Sequence, residues 1–163
     1  MLRFEHLDKS QKEQWLPRLF DLLYSNMQGI VPSDLPREQA WEQWVGQVGP
    51  ALEKAPRQIL LCFADDTLAG FLQYYTRGEL LMIEELQISP AYRRTGVFGG
   101  FCRQLAATTL PRQIAVVEAY ADSGNANSIR LMKKLGMEEL PQEGGAFVHL
   151  RGSAAVIKRI FMR

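Results

Sequence analysis

Three glutamates and one basic, glycine-bearing turn are the residues of this sequence best suited to chemistry. Glu84 and Glu85 adjoin, and Glu118 ends the apolar run Val116-Val117-Glu118. A carboxylate within hydrogen-bond reach of a reacting group can take a proton from it, directly or through a water. Burial at the end of an apolar strand raises a carboxyl's pKa toward the useful range. For each glutamate the ordinary alternative is a solvated or ion-paired acid.

The turn is Arg93-Arg94-Thr95-Gly96-Val97-Phe98-Gly99-Gly100. A helix opening here would point unpartnered N–H groups outward, and its dipole would add positive potential. Gly96, Gly99 and Gly100 let an anion approach the backbone, and Arg93 and Arg94 add charge-assisted donors. Two nucleotide motifs are excluded. A phosphate loop of the form G-x-x-x-x-G-K-[ST] needs a lysine that this turn lacks, and a dinucleotide fingerprint needs G-x-G-x-x-G directly after a strand.

The elements that position these groups follow from periodicity. Leu86 and Ile88 alternate with Gln87, as in a half-buried strand, and Pro90 ends it. Phe98, Phe101, Cys102, Leu105 and Ala106 then fall on one helical stripe. Neighbours on a strand face opposite ways, so only one of Glu84 and Glu85 can look into a cleft. Leu86 and Ile88 share a face with Glu84, which reads as the core face. Parity therefore favours Glu85 unless a bulge shifts it.

Around this centre the chain reads in order. Residues 2–7 alternate as a first strand. Asp8 is placed to cap a helix, with Gln11 as capping-box partner. Trp15, Leu16, Leu19, Phe20 and Leu23 form its stripe. Pro36 suits the start of a second helix, which buries Trp41, Trp44, Val45 and Val48, is weakened at Gly49-Pro50 and is over by Pro56. Residues 59–63 and 68–75 read as a hairpin across Asp65-Asp66, and Arg77-Gly78 turns the chain into 80–88. Beyond the glycine turn come a strand at 114–120 and a helix at 126–135 stopped by Gly136. Strands are expected near 137–140, 147–150 and 155–162. The order β-α-α-β-β-β-α-β-α-β-β describes an α+β fold, a mixed central sheet with helices on both faces.

At 163 residues, 47% hydrophobic and 23% charged, one domain over 1–163 is the simplest organisation. A net charge of +1 argues against a general nucleic-acid binder. Cys62 and Cys102 sit in apolar runs and read as buried thiols. His6 and His149 offer no metal-ligand spacing. No run is long enough to span a bilayer and no signal-peptide core opens the chain, so a cytoplasmic location is expected. The tail strand could close the sheet or pair with a second copy in a homodimer.

Two stretches resemble the signatures of the GNAT acetyltransferase superfamily. Leu86-Gln87-Ile88-Ser89-Pro90 fits that family's strand Leu-x-Val-x-Pro. Residues 93–97 fit the first five positions of its loop Gln/Arg-x-x-Gly-x-Gly/Ala. Phe98 departs at the sixth position, and Gly99 comes one residue late. Downstream, Asn125, Ser128, Lys134, Gly136 and Met137 fall on the family's second signature, Asn-x-x-Ala-x-x-x-Tyr-x-Lys-x-Gly-Phe. The likeness covers about residues 57–140, and the element order above is that of the GNAT fold.

The resemblance implies an N-acetyltransferase that uses acetyl-CoA as co-substrate, needs no metal, and is attacked directly by a primary amine of a small molecule, protein or peptide. It places the diphosphate on Arg93, Arg94, Thr95, Gly96, Val97, Phe98, Gly99 and Gly100, with Asn125, Ser128 and Lys134 as further cofactor contacts. Backbone N–H groups of Leu86, Gln87 and Ile88 would polarise the thioester carbonyl. The base would be Glu85, Glu118 or Glu84. Where the family often has a proton-donating tyrosine this chain has Met132, so water or Tyr120 would protonate the thiolate. Tyr24, Met27, Ile30, Val31, Tyr74 and Tyr75 are candidate acceptor-lining residues. The alternative is a catalytically weak acyl-CoA-binding regulatory module of the same fold, and a dinucleotide-binding domain ranks below both.

Overall fold

Alternation in the hairpin strands sorts the apolar residues into two layers. The computed structural model, which describes residues 1–54, 56–110, 113–141 and 144–161, shows both. The strands are β1 (Leu2–His6), β2 (Gln58–Ala64), β3 (Thr67–Arg77), β4 (Leu80–Ile88), β5 (Val116–Asp122), β6 (Glu138–Glu139) and β7 (Phe147–Ser153). They form one sheet in the order β1-β2-β3-β4-β5-β7-β6. Only β4 and β5 pair in parallel; their neighbours pair antiparallel.

Helices α1 (Lys12–Gln28) and α2 (Arg37–Glu53) cover one face. Leu16, Leu19, Val48 and Leu52 pack there on Ile59, Leu61, Phe63 and Phe71. Helices α3 (Val97–Thr108), α4 (Ala126–Lys134) and α5 (Ala154–Phe161) cover the other. Phe101, Leu105, Met132 and Ile157 pack there with Leu60, Cys62, Leu72 and Tyr74. Each hairpin strand thus sends alternate side chains to opposite layers. Asp8 caps a short 3-10 turn by accepting from the Ser10 N–H, not from Gln11 as a capping box would require. Pro50 does not stop α2, which runs on to Glu53.

One element differs in kind. The expected strand at 155–162 is α5, with Met162 outside the described residues. Ala154, Ile157 and Phe161 recur at helical spacing and pack against the α3 layer, which outweighs the β-branched residues between them. The sheet therefore ends in β7 and β6, and residues 154–161 are helical rather than a strand. Both cysteines are free and buried. Burial pushes the Cys62 thiol up to about 11 and Cys102 up to about 12, so both stay protonated. Among the described residues no helix is long and apolar enough to cross a membrane, and no cluster of three metal-ligating side chains forms.

Candidate active site

The two parallel strands part company halfway. Their ladder joins Leu80, Leu81, Met82 and Ile83 to Val116, Val117, Glu118 and Ala119. β4 continues to Ile88 and β5 to Asp122 without pairing to each other, which leaves a wedge between them. Helix α3 follows the end of β4 and α4 follows the end of β5. The wedge opens toward both helix N-termini, at the carboxyl ends of two parallel strands, where ligands of open α/β sheets bind.

A bulge sets the side chains on this wedge. Gln73 pairs with Glu85 and Tyr74 with Ile83, so Glu84 is the extra residue of β4. Past it the facing of β4 changes parity. Leu86 and Ile88 pack with the α3 layer, and so do Leu81 and Ile83. Glu84 and Glu85 are left together on the α1 face, instead of on opposite faces as simple alternation requires. Glu84 is held by Arg57, whose Nε lies 3.1 Å from Oε1, and by Gln73 Nε2 at 3.4 Å. Arg57 also lies over the Tyr75 ring at 4.6 Å.

Among the described residues no cation pairs with Glu85. It accepts from Gln87 Nε2 at 2.7 Å. Burial pushes its carboxyl up to about 7, against the hydrogen bonds from Gln87 and the Leu86 N–H; the Glu84 charge adds to the rise. The residue as a whole is only half-buried, so solvent still reaches it. A carboxyl of this kind shares its proton evenly with water near neutral pH, which suits a general base.

The backbone of β4 is also directional. Ser89 N–H bonds Ala69 O at 2.8 Å, on the β3 side. By antiparallel alternation the Gln87 and Glu85 amides face β3 too, and those of Leu86 and Ile88 face the wedge. The Gln87 side chain bonds both Glu85 and Asn26.

The glycine turn forms the mouth. Arg94 and Gly96 both lie in the left-handed region, at φ 66° and 92°. The bond from Gly100 N–H to Gly96 O, 2.8 Å, closes the first turn of α3. The amides of Val97, Phe98 and Gly99 precede it, with no acidic side chain in that turn. Phe98, where the sequence departs from the family loop, packs against the α3-layer core. Thr95 Oγ donates to Tyr92 O at 2.6 Å, folding its hydroxyl into the turn. Gly100 lies under Phe4: a Cβ there would stand 2.1 Å from Phe4 Cζ.

At the second N-terminus Asn125 caps α4, its side chain accepting from Ser128 N–H at 3.2 Å. Lys134 is exposed; with Ala126, Ile129, Arg130 and Lys133 it lines a groove of about 510 Å³ along α4. Met132 is buried and 5% exposed, a packing residue.

Glu118 stands in the closed part of the ladder, opposite Met82. Arg151 Nε is 3.5 Å from its Oε1. His149 Nε2 is 3.2 Å from its Oε2 but off the hydrogen-bond axis. Tyr120, half-exposed, stacks on His149 with centroids 4.3 Å apart. Of the other aromatic candidates, Tyr74 belongs to the opposite layer, with its hydroxyl 2.7 Å from His6 Nε2. Val31, between α1 and α2, reaches the turn before α4: its Cγ2 lies 3.6 Å from where a Gly124 Cβ would be.

Sequence reasoning missed Asn26. It is 6% exposed and donates to Gln87 Oε1 at 2.9 Å and to Ile88 O at 3.0 Å. It also accepts from Arg93 at 3.2 Å. The signal was available: Leu16, Leu19, Leu23 and Asn26 share one stripe of α1, and a polar residue on an apolar stripe asks for a partner.

The sequence matches the family described as "Acetyltransferase (GNAT) family" over residues 16–137. No curated protein matches it. Among the solved structures that share its fold are the three that follow. The PaiA N-acetyltransferase of Thermoplasma acidophilum, in complex with coenzyme A, is 14% identical, with TM-score 0.76 over 94% of this chain and 99% of that one. An acetyltransferase of Thermus thermophilus is 16% identical, with TM-score 0.72 over 94% and 97%. YncA of Salmonella typhimurium, solved with its cofactor acetyl-CoA, is 14% identical, with TM-score 0.64 over 94% of each chain.

Proposed function

The chain belongs to the acetyltransferase (GNAT) family, and on that premise we propose that it is an N-acetyltransferase, moving an acetyl group from acetyl-CoA to a primary amine of a small molecule, protein or peptide by direct attack. The observation that carries the reading is Glu85: a carboxyl pushed up to about 7, on the strand that borders the wedge. The glycine turn fits a diphosphate, since the first amides of α3, two left-handed residues and two arginines lie within one short turn. That two of the fold relatives hold coenzyme A or acetyl-CoA supports the same choice.

Acetyl-CoA supplies the acetyl group as an activated thioester. Arg94 and the Val97, Phe98 and Gly99 amides hold the diphosphate, with Arg93 beside them. The Ile88 amide, next to the Leu86 N–H that bonds Glu85, donates to the carbonyl oxygen, where charge develops. Glu85 takes the ammonium proton and makes the amine a nucleophile. Glu84, already paired with Arg57, and Glu118, paired with Arg151, shape the surrounding field. Water or Tyr120 returns a proton to the thiolate, since Met132 cannot donate one. A thiol pKa of about 8.5 makes that help worth rate without being indispensable.

Thermal unfolding with acetyl-CoA, CoA and NAD tests the reading. Ligand at 100 times its Kd stabilises by about 2.7 kcal/mol. Acetyl-CoA and CoA should raise Tm and NAD should not. A panel of amines and peptides, read by release of free thiol, should then contain an acceptor. Binding of CoA with no acceptor-dependent thiol release would favour the regulatory-module alternative.

A further inference from the structure

We infer that Asn26 and Gln87 are positioning residues that join the diphosphate turn to the base through one directed hydrogen-bond relay, Arg93 to Asn26 to Gln87 to Glu85. The inference rests on the acetyltransferase reading for what its two ends do. The relay itself rests on geometry. Arg93 donates to Asn26 Oδ1 at 3.2 Å, Asn26 Nδ2 to Gln87 Oε1 at 2.9 Å, and Gln87 Nε2 to Glu85 Oε1 at 2.7 Å.

Its direction is fixed by its ends. A guanidinium can only donate, so Asn26 must turn its oxygen to Arg93 and its NH₂ to Gln87. An ionised carboxylate can only accept, so Gln87 must turn its NH₂ to Glu85. The two requirements agree. Reversing either amide would set oxygen against oxygen or NH₂ against NH₂. Asn26 and Gln87 are 6% exposed each, so water offers little alternative partner. In such surroundings successive hydrogen bonds polarise one another. Asn26 also pins the Ile88 carbonyl, which ties α1 to the end of β4 beside the wedge.

The consequence is linkage. The relay favours the ionised form of Glu85. An anion that draws the Arg93 guanidinium toward itself weakens the first bond, so Glu85 holds its proton more tightly when the diphosphate is bound. By reciprocity the diphosphate binds more tightly when Glu85 is protonated. The groups that face Glu85 are Glu84 and Gln87 on its own strand, Gln73 across on β3 with Arg57 behind Glu84, and Asn26 of α1, with Arg93 beyond it. Among the described residues none of the others connects Glu85 to the turn.

The test follows the Glu85 carboxyl by ¹³C NMR across pH in the full-length protein, and measures 3′-dephospho-CoA affinity over the same range. This ligand keeps the diphosphate and lacks the titrating 3′-phosphate. Gln87→Met should raise the Glu85 midpoint by about one unit, a tenfold change in proton affinity. Asn26→Leu, which never touches Glu85, should raise it in the same direction by about half that. In the wild type, affinity for 3′-dephospho-CoA should fall as pH rises through 7, and in Asn26→Leu that slope should flatten. If Asn26→Leu does not fold, Asn26→Ser carries the same expectation. A folded Asn26 variant with reduced Tm but the wild-type midpoint and slope makes Asn26 merely structural and overturns the relay. Failure of 3′-dephospho-CoA to bind the wild type would instead overturn the acetyltransferase reading, and the linkage with it.

Discussion

Glu84 and Glu85, adjacent on one strand, present their carboxylates to the same face of the sheet, because the bulge opposite Gln73 and Tyr74 absorbs one residue of β4. Glu84 pairs with Arg57, and among the described residues no cation pairs with Glu85. The pair is thereby split into a fixed anion and a group that titrates near neutrality. Glu85→Gln should lower kcat by about 10²–10⁴-fold, the usual worth of a general base. Glu85 acts deprotonated, so kcat/KM of the wild type should climb with pH to a plateau above about 7. That rise should be missing from Glu85→Gln. A pH–rate profile of both proteins with one acceptor checks it; a wild-type rise retained in the variant would move the base elsewhere.

The same residue sets a stability cost. The folded pKa of Glu85, about 7, lies above the ordinary 4.5. Between those values the folded chain keeps a proton that the unfolded chain has lost. Stability therefore falls as pH rises through that window and stays lowered above it. Glu85→Gln removes the ionisable group. Its Tm should exceed the wild-type value above about pH 7.5, and the two should converge near pH 4.5. Solvent reaches the half-buried residue, so the gap will be smaller than the full shift suggests. Melting curves at four or five pH values are sufficient.

Legibility followed the range of the interactions. Strand β4 was readable end to end, because alternation and Pro90 are local signals. So were the glycine turn and the apolar stripe of α3. The bulge was not, because it is a mismatch between two strands and neither strand alone records it. Nor was the relay, two of whose three links join residues 61 and 67 positions apart. The tail failed for another reason. Residues 154–161 carry β-branched side chains that favour a strand, and only the α3 face they pack on selects the helix.

Arg57 should matter more for stability than its place in a connecting segment suggests. It is held twice, by Glu84 at 3.1 Å and over the Tyr75 ring at 4.6 Å. Arg57→Ala would leave Glu84 partly buried with only Gln73 as partner. Loss of one partner of such a charged bond costs about 1–3 kcal/mol. Arg57→Ala should therefore unfold at lower urea with an unchanged m-value. Because two adjacent anions would then share one face, the acid limb of kcat/KM should also move to higher pH. An unchanged limb would mean that the two carboxylates do not sense each other.

Gly99 and Gly100 look alike in the sequence and should separate cleanly by mutation. A methyl group on Gly100 meets the Phe4 ring at 2.1 Å, and that ring is braced edge-on against Phe101 with centroids 5.3 Å apart. Overpacking of this kind costs about 1–3 kcal/mol. A methyl group on Gly99 meets only the tip of Arg103, at 3.3 Å. Gly100→Ala should lower stability, and partner Phe4→Leu should recover part of it by giving the methyl room. Gly99→Ala should leave the melting curve near that of the wild type. Its amide belongs to the open end of α3 where the diphosphate is proposed to sit, so its effect should appear as weaker CoA binding, by calorimetry, without loss of Tm. If both variants lose stability alike and neither changes affinity, the glycines of this turn serve packing alone and the diphosphate must be held elsewhere.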